Sequence, residues 1–294
     1  MLTSSPLLSS GYALDMSPKA FGELRSSIDL LGQVELLRQN LAEDGYLYLP
    51  GFFHRADVLA VRDEFLCRLA SCRALHPEYP IFEGIASDLP AKVMRDDIMS
   101  GNSSVRNLVF SPQLMSFYES LLGGKATHYD HIWTRLIRPG KGTLPHCDLP
   151  FMGRGTHHVM TAWIPYRDTS LEMGGLIVLE KSHLQAERIH NYLKLDADAY
   201  CENRNAYRFP GHLSRNPISL REKFGGRWLT SEFKAGDLLT FGMKFVHASL
   251  DNQTSAYRIS TDTRYQLASE PIDHRWVGDI TEEWAAQHRI GMIC

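Results

Sequence analysis

Residues 159–179 read VMTAWIPYRDTSLEMGGLIVL. Two runs of branched and aromatic residues, Val159–Tyr166 and Leu176–Leu179, flank a polar stretch that ends in Gly174-Gly175. Each run is too short for a helix and rich in residues that suit a pleated sheet. The same texture holds on both sides: His131–Ile137 stops at Pro139-Gly140, Leu238–Phe241 follows Gly236-Asp237, and Lys244–Leu250 and Tyr257–Leu267 complete the set. Many short strands with polar turns predict an all-β barrel or sandwich from about residue 126 to 270.

The first 125 residues read differently. Ser17-Pro18 resembles a helix cap and first turn, and apolar residues recur at helical spacing through Ile28, Leu31, Val34, Leu37 and Leu41 until Gly45. Tyr46–Leu49 reads as a strand closed by Pro50-Gly51. Further helices are expected over about 56–70 and between Ser111-Pro112 and Gly123-Gly124, with a last short helix near 279–288. The expectation is therefore one domain over 1–294: a mostly helical part (1–125), a β core (126–270) and a tail (271–294). Residues 185–232 break the β pattern and are too long for an ordinary loop, as lids often are.

The chain has 294 residues, 44% hydrophobic, with a net charge of −3. That charge argues against a nucleic-acid binder. No apolar run approaches the roughly 18 residues of a membrane span, and the N-terminus has no secretory pattern. Five cysteines without a C-x-x-C predict reduced thiols and a cytoplasmic location. Oligomeric state is not legible. Charge is unevenly spread: Arg204, Arg208, Arg215, Arg221, Lys223 and Arg227 face only Glu222 between 203 and 227. Folded over a barrel mouth, that stretch would hold an anionic small-molecule substrate; otherwise it is a solvated loop.

Two His-x-Asp triplets occur, His128-Tyr129-Asp130 and His146-Cys147-Asp148, where composition alone gives about one. On an extended segment, i and i+2 share a face, so both can reach one ion while the middle residue points away. The second triplet has the better context. It follows the turn at Pro139–Gly142, and about a hundred residues on lies His247 in a probable strand, with Arg258 eleven residues further. Two His and one carboxylate form a facial triad that leaves positions open on non-haem Fe(II). An arginine on a neighbouring strand can clamp a dicarboxylate.

With Leu41–Leu49, Ala162–Pro165, Gly174–His183, Ala235–Phe241 and His247–Asn252 in this order, the chain resembles the phytanoyl-CoA hydroxylase family of Fe(II)- and 2-oxoglutarate-dependent oxygenases over roughly residues 40–278. The resemblance implies a double-stranded β-helix, a jelly-roll, cupin-like barrel with flanking helices. It implies iron on His146, Asp148 and His247. It implies 2-oxoglutarate on Arg258 and Ser249, with Trp163 and Lys92 nearby. The activity it implies is O2-dependent hydroxylation of an unactivated C–H bond, releasing succinate and CO2. Asp148 separates such a hydroxylase from halogenases, which carry Gly or Ala there. Two other readings of the same residues are a barrel that binds 2-oxoglutarate and metal without turnover, and a cupin-like non-redox metal enzyme. His157 and His158 read as loop residues or substrate contacts, Lys92 as a pocket or a surface lysine, and Trp163 as a co-substrate contact or plain core.

Overall fold

A computed structural model describes residues 6–89, 91–202 and 211–278. The chain opens with a hairpin, β1 (Leu8–Ser9) and β2 (Tyr12–Ala13), then β3 (Phe21–Glu23), α1 (Val34–Asp44), β4 (Tyr46–Leu49) and α2 (Arg55–Ser71). Next come α3 (Arg95–Met99), α4 (Ser103–Val109) and α5 (Pro112–Leu122), followed by β5 (Ala126–His128), β6 (Trp133–Ile137), α6 (Leu149–Met152), β7 (Met160–Pro165) and β8 (Leu176–Leu179). Helices α7 (His190–Leu193), α8 (Ala197–Glu202) and α9 (Pro217–Phe224) lead into β9 (Trp228–Thr230), β10 (Leu238–Gly242), β11 (His247–Ser249) and β12 (Arg258–Leu267).

The strands form two facing sheets. The larger runs β4-β10-β7-β12-β5, with β6 also on β12; the smaller runs β11-β8-β9-β3. Strand alternation then sorts every side chain. On β12, Ile259 and Tyr265 face outward to the core shared with α2, α4 and α5, whereas Arg258, Ser260, Asp262 and Arg264 face the interior. Trp163, Leu239 and Phe241 of the large sheet meet Leu176 and Val178 of the small one across that interior. The outer face of the small sheet, Ile177, Leu179 and Ala248, packs on Tyr192 of α7 and on Leu220 and Phe224 of α9. The layers are thus helix, sheet, sheet, helix: the jelly-roll arrangement expected from the sequence.

Local signals explain much of this. Ser111 caps α5 by accepting from the Leu114 N–H, Pro112 opens it and Gly123 closes it in the left-handed region. Two expectations need correction. The helix expected from Ser17-Pro18 starts only at Val34. Residues 21–23 pair in parallel with β9 instead, and Gly32, at φ 87°, breaks the chain before α1. The insertion expected to run to 232 contains β9, a strand of the small sheet, because Trp228 and Leu229 pair with β8. The expected helix at 279–288 lies outside the described residues, as do Arg204 and Arg208. No helix among the described residues is long and apolar enough to cross a membrane.

Candidate metal centre and its cavity

His146 sits after the turn that follows β6, and His247 begins β11. The two are tied by their backbones: the His146 N–H donates to the His247 carbonyl at 2.9 Å, and the His247 N–H donates back at 3.0 Å. This places the imidazoles 4.3 Å apart, centroid to centroid. Each ring is fixed by its Nδ1, on the Leu144 carbonyl at 2.8 Å for His146 and on the Phe245 carbonyl at 3.0 Å for His247. With Nδ1 donating, Nε2 carries the lone pair and faces inward. Both Nε2 atoms approach one oxygen of Asp148, at 3.9 and 3.8 Å. Among the described residues this is the one group of three or more His, Cys, Asp or Glu whose ligand atoms all lie within 4.8 Å.

The second oxygen of Asp148 is otherwise engaged. It accepts the Thr161 hydroxyl at 2.6 Å and lies 3.0 Å from the Arg264 guanidinium. Burial by itself would raise this carboxyl, but the Arg264 charge, then His247, His146 and the Thr161 hydroxyl, hold it well below the usual carboxylate range. Burial, helped by His247 and opposed by Asp148, pushes His146 down to about 3. At neutral pH His146 is therefore a neutral imidazole and Asp148 a carboxylate, the protonation states that metal ligation requires of them. Cys147, between the ligands, points outward into the apolar layer under the small sheet, with its thiol 3.4 Å from the Lys244 carbonyl.

Arg258 lies on the interior face of β12 and is 1% exposed. Its Nη1 donates to Ser260 at 3.0 Å, and its buried Nε has no hydrogen-bond partner. Among the described residues no carboxylate lies within ion-pair distance of it. Burial, opposed by Asp262 and aided by Arg135, drops it to about 10. A buried cation without a counter-ion is costly, so the arrangement calls for an anionic ligand. Ser249 faces the same interior and accepts the Thr143 N–H at 2.8 Å. Gly174, at φ 84°, lets the backbone press on this strand: a Cβ there would meet the Leu250 carbonyl at 2.5 Å. Trp163 is 1% exposed, edge-on to Phe233 at 4.7 Å, and its buried indole N–H has no partner.

A cavity of about 360 Å3 opens over His146 and Asp148, with Trp133, Arg135, Phe151, Met152, His212 and Trp276 among its walls. Lys92 is exposed and is not part of that lining. His128 and Asp130 stand 3.5 Å apart beside Phe110, which stacks on His128 at 3.7 Å, and no third ligand joins them among the described residues. His158 is exposed and bonds Glu270 at 3.1 Å. In the basic stretch Arg227 pairs with Glu180 at 2.6 Å and Arg221 with Glu222 at 3.9 Å, while the Arg215 Nε bonds the His212 ring at 3.3 Å. Sequence reading missed Thr161, Arg264, Arg135 and Asp262. Alternation on β12 places Asp262 and Arg264 on the face of Arg258, which is the signal that could have found those two.

Comparison with known proteins accords with this geometry. The family model described as Phytanoyl-CoA dioxygenase (PhyH) matches residues 41–260. The 1-deoxypentalenic acid 11-beta-hydroxylase of Streptomyces exfoliatus is 26% identical over 274 residues, covering 86% of this chain and 87% of that protein. Among solved structures, the epimerase SnoN in complex with Fe3+, alpha ketoglutarate and nogalamycin RO aligns with a TM-score of 0.55 at 21% identity, over 82% of this chain and 86% of that one. EctD from S. alaskensis aligns with a TM-score of 0.56 at 15% identity, over 91% and 88%. The latter two show a shared fold.

Proposed function

The chain belongs to the phytanoyl-CoA dioxygenase family, and from that premise we propose that His146, Asp148 and His247 hold the iron of a 2-oxoglutarate-dependent oxygenase and that Arg258 anchors its co-substrate. The enzyme is a non-haem Fe(II)- and 2-oxoglutarate-dependent dioxygenase that hydroxylates a small molecule. One observation carries the assignment of residues. Two His and a carboxylate converge within 4.8 Å on the interior face that also bears a buried guanidinium with no carboxylate at ion-pair distance among the described residues.

Bound iron supplies the O2 chemistry, coupling decarboxylation of 2-oxoglutarate to succinate and CO2 with hydroxylation of a C–H bond. The chain's residues orient and enclose. Thr161 and Arg264 hold one oxygen of Asp148 so that the other faces both imidazoles. The Leu144 and Phe245 carbonyls lock the ring tautomers. Arg258 takes the distal carboxylate of 2-oxoglutarate, and Ser249, already an acceptor from Thr143, keeps its own proton to donate to it. Trp163 offers its unpartnered indole N–H to the co-substrate. Lys92, exposed here, is at most a contact made at the pocket rim. The substrate is a small molecule; we take it to be anionic, in line with the acid named in the curated relative. We take the location to be the cytoplasm, supported by the free thiols of Cys67, Cys72 and Cys147.

The test is an anaerobic titration of metal-free protein with Fe(II) and then 2-oxoglutarate, followed by visible absorption. A weak charge-transfer band that needs both additions, and that His247→Ala and Arg258→Ala each weaken or abolish, supports the assignment. A folded wild type that binds iron yet gives no band overturns it.

A further inference from the structure

Three arginines face the interior beside the triad, and two of them are accounted for. Arg264 engages all three nitrogens within the protein: Nη2 lies on Asp148 at 3.0 Å, Nε on the Met152 sulfur at 3.1 Å and Nη1 on the Thr263 carbonyl at 3.3 Å. Arg258 is fully buried and is assigned above to the co-substrate. Arg135 differs from both. It stands on β6, lines the cavity and keeps about a third of its side chain exposed. Among the described residues only its Nε is engaged, by Asp262 at 2.7 Å. Its two outer nitrogens, the part of the guanidinium fork suited to planar anions, are left for the cavity.

Charge counting gives the sign of what belongs there. Arg135, Arg258 and Arg264 face Asp148 and Asp262 on this interior, with the imidazoles neutral as ligands must be. Among the described residues the protein therefore contributes one net positive charge. The two charges of Fe(II) and the two of 2-oxoglutarate cancel. One positive charge remains in a site of low dielectric, where an unbalanced charge is expensive. A monoanion restores neutrality and a dianion overshoots. The remaining walls, Trp133, Trp276, Phe151 and Met152, are apolar, and about 360 Å3 suits a compact molecule.

We propose that Arg135 is the residue that selects the substrate, binding the single carboxylate of a molecule whose compact, apolar body lies against Trp133, Trp276 and Phe151. This rests on the oxygenase reading above. It moves the anion hook from the basic stretch 203–227 to a strand of the core sheet.

The experiment uses the anaerobic Fe(II)–2-oxoglutarate holoprotein and three probes: adamantane-1-carboxylate, adamantane-1-carboxamide and phenyl phosphate. Quenching of tryptophan fluorescence and perturbation of the charge-transfer band report binding. The carboxylate binds wild type about tenfold more tightly than the amide, the usual scale of a charge-assisted bidentate contact. Arg135→Gln removes that preference, leaving the amide and 2-oxoglutarate affinities unchanged, and Arg135→Lys keeps part of it. Because Gln leaves Asp262 without its cation, the double variant Arg135→Gln/Asp262→Asn is measured beside it and shows the same loss. Equal binding of carboxylate and amide by wild type, or absence of both, overturns the proposal. So does a weakened 2-oxoglutarate affinity in Arg135→Gln, which would assign Arg135 to the co-substrate. Tighter binding of phenyl phosphate overturns the monoanion class. Failure of the oxygenase reading is separate: the charge-transfer band is then missing before any probe is added.

Discussion

The Thr161 hydroxyl donates to Asp148 at 2.6 Å from the neighbouring strand β7, and so decides which carboxylate oxygen is left for a metal. Register makes the contact: Thr161 stands opposite Arg264 across β7 and β12, and both reach the same oxygen. Thr161→Val keeps the shape and removes the donor. Outer hydrogen bonds to metal ligands are worth about 10–100-fold in affinity. Fe(II) affinity of Thr161→Val should fall by about tenfold, measured by anaerobic competition with a chelating dye, while far-UV circular dichroism stays unchanged.

Arg258 sets function against stability. Its guanidinium is buried with no carboxylate at ion-pair distance among the described residues, so metal-free protein carries a desolvation penalty that the more distant Asp262 only partly offsets. Arg258→Met fills similar volume without charge. The metal-free variant should unfold at higher temperature than wild type, by the equivalent of about 1–2 kcal/mol. It should also lose the rise in Tm that 2-oxoglutarate gives the iron-loaded wild type. A metal-free Arg258→Met that melts well below wild type would show the cation to be structurally satisfied.

The pH dependence of the metal-free protein follows from His146. Burial holds it at about 3 in the fold, against 6.5 for an unperturbed imidazole. Between those values the unfolded chain binds a proton that the folded chain refuses, so stability falls as pH drops below about 6.5. From pH 6.5 to 4.5 this one group removes on the order of 2 kcal/mol. Asp148, depressed in the fold, adds a loss in the same direction at lower pH. His146→Gln should flatten the curve over that window in chemical denaturation, and an unchanged slope would refute the assignment.

Asp251 is the clasp of the N-terminal hairpin. Its two oxygens accept the N–H groups of Ser10 and Gly11 at 3.0 and 2.7 Å, two residues beyond Ser249. Asp251→Ala leaves those donors unmet and should cost about 2 kcal/mol in urea unfolding. Asp251→Asn, which still offers one acceptor, should recover part of that loss.

How much of this the sequence disclosed depends on the kind of signal. Ser111, Pro112 and Gly123 bracket α5 because caps are local chemistry. Strands β7, β8, β10 and β12 are legible because alternation and turn residues are local too. The gathering of His146, Asp148 and His247 was legible through spacing, since i and i+2 on extended chain share a face. β3 and β9 were hidden: each is three residues long, β3 exists because β9 is there, and β9 is held between β8 and β3. Thr161 was hidden for the same reason, as its meaning lies in the cross-strand register with Arg264. Asp262 and Arg264 needed only that the alternation starting at Arg258 be followed further, whereas Arg135 came from the register of β6 against β12.

Strand β12 pairs with β7 on one edge and with β6 and β5 on the other, though it is the last strand among the described residues. On the ribosome, then, β5, β6 and β7 emerge with open edges and wait for residues 258–267 before the large sheet can close. A polypeptide halted before residue 258 lacks its central strand, and with it Arg258 and Arg264. The interior face is thus completed only when residues 258–264 arrive, and products that terminate before them present bare sheet edges that invite aggregation.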